Sequence, residues 1–148
     1  MYRKILQCLL AALFLSAAFT ASAGDFGAAP DAKAMLEKAV TALKADKASA
    51  LVSFTKGKGG FKDRDLYPFC GGPDGLFSAH PSLVGKSLKD LKDKTGKAMG
   101  QDIYKVAQEG KIAAVAYMWP RPGSTEPVQK VSYVTKIGDQ VCAVGYYR

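Results

Sequence analysis

Aromatic and basic side chains cluster in the segment YMWPRPGSTEPVQKVSYV, which spans residues 117–134 and joins two strand-like runs. Tyr117 and Trp119 share one face of their strand because strand side chains alternate with a period of two, and Arg121 follows in the loop. Tyrosine, tryptophan and arginine present hydrogen-bond donors on apolar or planar bodies, which suits a small pocket for an anionic group. Arg121 and Lys130 are the nearest cations to this aromatic pair along the chain.

Further residues of the same types surround the first predicted hairpin, and together with the segment above they form one candidate set. Any single aromatic side chain among them is more often ordinary core, so the prediction depends on several donors that converge on one place. The candidate ligand-binding residues are Arg64, Tyr67, His80, Tyr117, Trp119, Arg121, Lys130 and Tyr133.

The signatures of enzymes are incomplete in this sequence. Ser78 lies two residues from His80, but neighbours on one strand are poorly placed to act as nucleophile and base, and no acidic partner is evident. Gly85-Lys86-Ser87 resembles the end of a phosphate-binding loop, but His80 stands where the first glycine belongs. With one histidine, no C-x-x-C and no C-x-x-C-H, the sequence predicts no metal site, no haem and no other cofactor. We therefore expect binding without catalysis.

The first 23 residues have the layout of a secretory signal peptide. Arg3 and Lys4 precede an apolar run over residues 5–19, and an A-x-A cleavage site ends at Ala23. The alternative is a retained membrane anchor, although the run is shorter than the roughly 20 residues that a spanning helix needs. The sequence therefore predicts an exported protein, periplasmic or secreted, with no stable membrane insertion after cleavage.

Three cysteines divide between the signal and the exported part of the chain. Cys8 lies in the apolar run, whereas Cys70 and Cys142 remain after cleavage. An even number of cysteines in an oxidising compartment favours a disulfide between them. The alternative is a pair of buried free thiols.

The chain is basic, with a formal net charge of +8 at pH 7. Such a surplus fits nucleic acid, an anionic surface or an acidic ligand. An exported chain rarely meets nucleic acid, and the lysines are scattered without the interleaved aromatic residues that single-strand binders use. We expect no nucleic-acid partner, and a solvated basic surface explains most of the charge.

The periodicity of apolar residues predicts one domain over residues 31–148, after a mobile leader over 24–30. Apolar residues at spacings of three, four and seven predict one long amphipathic helix over 31–54, which the K-G-K-G-G run at 56–60 ends. Beyond it the pattern predicts strands and a second, shorter helix over 98–109. The predicted strands are residues 66–70, 76–80, 112–119, 128–137 and 141–147.

This order of elements predicts an α+β domain with an antiparallel sheet of about five strands. The long helix would cover one face of the sheet. The other face, capped by the loops after Cys70, His80 and Trp119, is where a pocket would form.

Six short motifs follow one another along residues 31–148. They are R-D-L-Y-P-F at 64–69, D-G at 74–75, A-H-P with L-V-G-K at 79–86, Y-x-W-P-R-P at 117–122, P with K-V-S-Y-V at 127–134, and G-Y-Y at 145–147. Each motif is weak alone, but in this order they resemble the single Cache domain family, type 2. The resemblance implies a PAS-like antiparallel sheet behind a long N-terminal helix, outside the cytoplasmic membrane, that binds small ligands such as short carboxylates.

By this resemblance, the ligand pocket would lie on the sheet face under the loops that hold His80 and Trp119. The connection WPRPGSTEP at 119–127 would then act as a lid, stiffened by its prolines, from which Trp119 and Arg121 project toward the ligand.

We expect an exported, freestanding Cache domain that binds a small, anionic metabolite such as a short carboxylate. The family usually carries flanking transmembrane helices and a signalling module, so a membrane receptor or signalling protein is the expected macromolecular partner. The alternative is a secreted protein–protein interaction module, which presents the Trp119 loop to a partner and has no small-molecule ligand.

Overall fold

The computed structural model describes residues 24–148, so the predicted signal peptide lies outside the described residues. The domain has the mixed α+β composition that the sequence predicts. No helix within residues 24–148 combines the length and the apolarity that crossing a membrane requires. The elements are α1 (Ala29–Ala45), α2 (Lys47–Lys56), β1 (Pro68–Gly71), β2 (Phe77–Ala79), α3 (Met99–Val106), β3 (Ala113–Pro120), β4 (Pro127–Ile137) and β5 (Gln140–Tyr147).

The long N-terminal helix is interrupted at Asp46, which separates α1 from α2. Asp46 has extended backbone angles, and its carboxylate accepts a hydrogen bond from the Ser49 N–H at 3.0 Å, as the N-cap of α2. The predicted single helix over 31–54 is therefore two helices. The predicted stop is confirmed, because Gly57 adopts a left-handed conformation with φ 64° and closes α2.

The five strands form one antiparallel sheet in the order β2-β1-β5-β4-β3. The buried side of α1, which includes Leu36 and Ala39, packs on one face of the sheet together with Val144. α3 packs on the other face, where Ile103 joins a second apolar cluster that includes Tyr117. The two faces of the sheet are thus covered by different helices.

The predicted disulfide joins Cys70 on β1 to Cys142 on β5. The two residues are direct partners in the strand register, and the sulfur atoms are 2.05 Å apart. Both side chains are fully buried. The bond therefore attaches β1 covalently to the middle strand of the sheet.

The segment before α1 is held against the domain. The Gly27 N–H donates to Asp65 Oδ1 at 2.7 Å, and Arg64 Nη1 donates to the Phe26 carbonyl oxygen at 3.1 Å. These bonds connect Phe26 and Gly27 to residues that come nearly forty positions later, and the mobility of residues 24–30 stays a prediction.

Asp93 attaches the turn over residues 93–97 to the edge strand β3. Its Oδ1 accepts hydrogen bonds from the N–H groups of Thr95 and Lys97, and its Oδ2 accepts one from the Met118 N–H at 2.9 Å. Met118 directly precedes Trp119. The buried carboxylate of Asp93 therefore helps to position the β3 end that carries the tryptophan.

We expect Asp93→Asn to lower the free energy of unfolding at pH 7 by about 1–3 kcal/mol, because an amide nitrogen would replace one of these accepting oxygens. Burial raises the pKa of Asp93, but the bonds from Met118, Thr95 and Lys97 outweigh it and lower the pKa to about 2. Because the pKa is lower in the folded state, ionised Asp93 stabilises the fold. This stabilisation is fully present above the unfolded-state pKa near 4 and is lost as the pH falls toward 2.

Urea unfolding of both proteins at pH 7, 4 and 2 measures this contribution. The difference in stability between wild type and Asp93→Asn should be largest at pH 7 and shrink at pH 2. Asp90→Asn changes an exposed carboxylate three residues earlier in the chain and serves as the control, with an effect below about 0.5 kcal/mol. A difference that stays constant over this pH range would contradict the assignment.

Candidate functional site

A cleft of about 410 Å³ opens between the C-terminal end of α2, the loop after β2 and the β3–β4 hairpin. Apolar side chains make up much of its wall, and basic groups are interspersed among them. Its lining residues are Phe54, Thr55, Lys56, Gly57, Phe61, Lys62, Arg64, Leu66, Tyr67, His80, Pro81, Ser82, Leu83, Trp119, Pro120, Arg121 and Pro122.

A second cavity, of only about 10 Å³, adjoins the cleft. Tyr67, His80 and Trp119 line both spaces and so form the neck between them. Lys130 and Tyr117 line the small cavity only. Seven of the eight residues of the candidate set line the cleft or the small cavity.

Lys130 is the most unusual residue of this region, because its ammonium group is buried among aromatic rings. The side chain is 1% exposed. Its Nζ lies 3.2 Å from the Tyr67 hydroxyl oxygen and 4.5, 5.0 and 5.7 Å from the ring centroids of Tyr67, Tyr147 and Phe69. None of the ion pairs within residues 24–148 includes Lys130. The structure thus holds a buried cation without a carboxylate partner.

The surrounding tyrosines keep Lys130 protonated. Burial lowers the pKa of Lys130, but the oxygens of Tyr117, Tyr67 and Tyr147 outweigh it and raise the pKa above its usual value. Burial also raises the pKa values of Tyr117 and Tyr147, so these phenols are neutral at pH 7. At pH 7 the ammonium group therefore faces neutral phenols, with its hydrogen bond to the Tyr67 hydroxyl and the ring faces of Tyr67 and Tyr147 around it.

The strand register explains how the lysine reaches this position. Lys130 on β4 lies opposite Tyr117 on β3 and Tyr147 on β5, so the three side chains share one face of the sheet. Gly145, two residues before Tyr147, leaves the space that the lysine crosses, because a Cβ there would collide with Lys130 Cε and Ser132 Oγ. A glycine on β5 is thus needed for the buried lysine.

Tyr67 lies between Lys130 and the neck, and its hydroxyl group is polarised by the charge of the lysine. The lysine donates its hydrogen bond to the Tyr67 oxygen, because an ammonium group can only donate. The hydroxyl proton of Tyr67 then remains free to donate to another group. A ligand oxygen in the neck would accept a hydrogen bond from this hydroxyl group, which the buried cation polarises.

His80 is a second donor in the neck. Its Nδ1 accepts hydrogen bonds from the Ser82 and Leu83 N–H groups at 3.0 and 3.1 Å, so the proton of the neutral ring is on Nε2. Burial, assisted by the charge of Lys130, lowers the pKa of His80 to about 4. The imidazole is therefore neutral at pH 7.

The two arginines of the candidate set line the cleft but already have acidic partners. Arg64 Nη2 lies 2.7 Å from Asp63 Oδ2 and 3.0 Å from Asp31 Oδ2. Arg121 Nε lies 3.6 Å from the buried Asp65 Oδ2, without a hydrogen bond between them. The structure therefore presents both guanidinium groups as parts of the wall rather than as free cations in the cleft.

Tyr133 is the one candidate that the structure separates from the others. It lies opposite Val144 on the face of the sheet covered by α1, and its ring is 5.8 Å from that of Tyr146. The expectation that Tyr133 belongs to the pocket is corrected by this placement. Its neighbour Ser132 points to the pocket side and bonds the Tyr117 hydroxyl at 2.7 Å.

The nucleophile–base pairing considered for Ser78 and His80 is not formed. The Ser78 hydroxyl donates to Gln140 Oε1 instead, and both His80 Nδ1 bonds come from backbone groups. In the described part of the chain, no cluster of three His, Cys, Asp or Glu side chains could hold a metal ion. The chemistry that the site offers is hydrogen-bond donation beside a buried positive charge.

The family model of the Cache domain matches residues 36–147, which include every strand and both cavities. This chain belongs to the Cache domain family. The family shown by this match is the one that the order of motifs indicated. The observed sheet, with α1 packed on one face, is the architecture that the resemblance implied.

The Cache domain is similar in sequence to part of the methyl-accepting chemotaxis protein McpP of Pseudomonas putida, with 36% identity over 59 residues. The match covers 40% of this chain and only 11% of that protein. In structure it is similar to a methyl-accepting chemotaxis protein from Vibrio parahaemolyticus, with a TM-score of 0.65 and 26% identity over 80% of this chain and 86% of that one.

Two further structures share the fold at lower identity. One is the periplasmic sensor domain of a chemotaxis protein, with a TM-score of 0.60 and 24% identity over 78% of this chain and 86% of that one. The other is a Cache chemosensory domain studied for carboxylic acid recognition, with a TM-score of 0.55 and 23% identity over 78% and 84% of the two chains.

Several residues in or beside the Cache cleft lie outside the candidate set. Tyr147, whose ring lies under the Lys130 ammonium group, was identifiable because it belongs to the G-Y-Y motif on the last predicted strand. Phe61 comes from a segment without strand or helix periodicity, so no sequence signal places it, whereas Leu83 belongs to the L-V-G-K motif but was not among the candidates. Asp65 lies in the R-D-L-Y-P-F motif at 64–69, but its contact with Arg121 forms only in the folded chain.

Proposed function

We propose that this Cache domain binds a small carboxylate in the neck between its two cavities and does not transform it. The observation that carries the proposal is the buried Lys130 without a carboxylate partner among residues 24–148. A buried charge is costly unless it is paired, so an anionic ligand would supply what the protein lacks.

The donors of the neck suit a carboxylate. Tyr67 and His80 each offer a proton, and Lys130 stands directly behind Tyr67. Two oxygens of a ligand can accept from these two donors, and hydrogen bonds to a charged group contribute about 1.5–3 kcal/mol. The carboxylic acid recognition described for one Cache domain of the same fold supports this choice of ligand.

The proposal includes a sensory role outside the cytoplasmic membrane. The signal-like residues 1–23, the disulfide and the fold shared with a periplasmic sensor domain support export. The similarity to chemotaxis receptors supports a role in which occupancy of the cleft is passed to a membrane receptor or signalling protein. The domain itself would act by binding alone.

We expect acetate, propionate or another short acid to raise the melting temperature, whereas the matched amides acetamide and propionamide should not. A ligand that binds only the folded state, at a free concentration of 100 times its Kd, raises the free energy of unfolding by about 2.7 kcal/mol. A thermal-shift titration of the exported protein, followed by calorimetry, measures this difference. Equal shifts with acids and amides would contradict the role of Lys130. No shift with any acid would favour the interaction module instead.

A further inference from the structure

We infer that the ligand of this domain has an apolar body beyond its carboxylate, so that the ligand class is alkyl or aryl monocarboxylic acids of about six to ten non-hydrogen atoms. This inference rests on the proposed carboxylate binding at Tyr67 and His80. It concerns the part of the ligand that lies in the outer cleft, which the donors of the neck do not reach.

The sizes of the two cavities determine which way the ligand extends. The cavity beside Lys130 has about 10 Å³, which is room for about one water-sized group at most. A carboxylate therefore stops at the neck, with Tyr67 and His80 on its oxygens. The rest of the molecule has to extend into the cleft.

The cleft is large for a two-carbon acid. Its volume of about 410 Å³ lies within the roughly 300–1,000 Å³ of pockets that hold drug-sized ligands. Acetate has four non-hydrogen atoms, part of which would occupy the neck. Most of the cleft would then stay filled with water, in contact with apolar walls.

The character of the walls favours an apolar body over a second charged group. Phe61, Leu66, Leu83 and Trp119 line the cleft, together with prolines from both loops. The guanidinium groups of Arg64 and Arg121 already face carboxylates of the protein. Covering apolar surface is worth about 25 cal/mol per Å², so each added methylene that contacts these walls should tighten binding.

Two lysines in the cleft could bind a second carboxylate of the ligand, but only weakly. Lys56 and Lys62 line it as well, but both side chains are exposed to solvent. Exposed ion pairs contribute little in water. A dicarboxylate that reached them would gain less than an apolar chain of the same length, and this comparison can be measured directly.

Calorimetric titration of the exported protein with acetate, butyrate, hexanoate and adipate tests the inference. A buried methylene contributes up to about fourfold in affinity, so we expect hexanoate to bind at least tenfold more tightly than acetate. Adipate, which has the same length as hexanoate and a second carboxylate, should bind more weakly than hexanoate.

The other results are equally decisive. Equal affinities for acetate and hexanoate would overturn the apolar body while leaving carboxylate binding intact. Tighter binding of adipate would assign the cleft to a second anionic group and overturn it too. If none of the four acids binds, the proposed carboxylate site itself fails, and this inference fails with it.

A matched pair of variants locates the apolar body. Leu83 lines the cleft and is half-buried, whereas Val84 is 52% exposed and lies outside the lining. Leu83→Ala should lower the ratio of hexanoate to acetate affinity at least threefold, and Val84→Ala should leave both affinities unchanged. Urea unfolding checks that the Leu83→Ala protein is as stable as wild type. If it is, an unchanged ratio of hexanoate to acetate affinity would place the apolar body of the ligand elsewhere and overturn the inference.

Discussion

Reduction of the Cys70–Cys142 disulfide is expected to lower the free energy of unfolding by about 4 kcal/mol. The bond joins residues with a sequence separation of 72, and closing a loop of that length removes much of the entropy of the unfolded chain. An effect of this size is a large share of the roughly 5–15 kcal/mol that stabilises a typical domain. Urea unfolding of the oxidised and reduced protein, followed by circular dichroism, measures it.

The double variant Cys70→Ala/Cys142→Ala serves as the control for the reductant. It should be less stable than the oxidised wild type and should not respond to reductant, because no bond remains to break. Alkylation of the unfolded, unreduced protein should modify neither cysteine. Oxidised and reduced stabilities within about 1 kcal/mol of each other would contradict the prediction.

Lys130→Met is expected to weaken binding of the carboxylate ligand by about 1.5–3 kcal/mol, which is roughly tenfold to 150-fold in Kd. Methionine is unbranched like lysine and one atom shorter, and it removes the charge behind Tyr67. Urea unfolding checks that the variant is folded, since burial of the ammonium group lowers the free energy of unfolding while its hydrogen bond to Tyr67 raises it. Calorimetry with acetate and hexanoate, combined with urea unfolding, separates affinity from stability.

Lys136→Met is the matched control, since Lys136 lies on the same strand and is exposed. It should leave the affinity for both acids unchanged. Tyr67→Phe should weaken binding as well, and its effect should not add fully to that of Lys130→Met because the two residues share one hydrogen bond. Unchanged affinity in Lys130→Met would mean that the carboxylate binds outside the neck.

Local patterns in the sequence determined the order of the elements. Period-two alternation identified the strands β3, β4 and β5 to within a residue or two, and Gly57 closed the helical segment where the glycine run predicted. These features depend on neighbours in the chain. The disulfide also followed from the sequence, because Cys70 and Cys142 are the two cysteines that follow the signal-like residues.

One miss in the helical segment was also local. Asp46 with Ser49 three residues later forms a helix start inside what looked like one helix. The apolar spacing continued across this cap, so the periodicity concealed it.

Only the tertiary structure decided which side of the sheet holds the site. Alternation shows that Lys130 and Tyr133 point to opposite faces, but not which face α1 covers. That choice depends on how the helices pack, which no short stretch of sequence specifies. The same is true of Arg121, because its partner Asp65 comes from a segment far away in the chain.

The sequence by itself determined the fold family and the types of residue available for binding an anion. The tertiary structure decided that Lys130 is a buried cation, since its position requires the space above Gly145 and three tyrosines from separate segments. Burial and unpaired charge are properties of the packed chain, because they depend on the surroundings of an atom rather than on its neighbours in sequence.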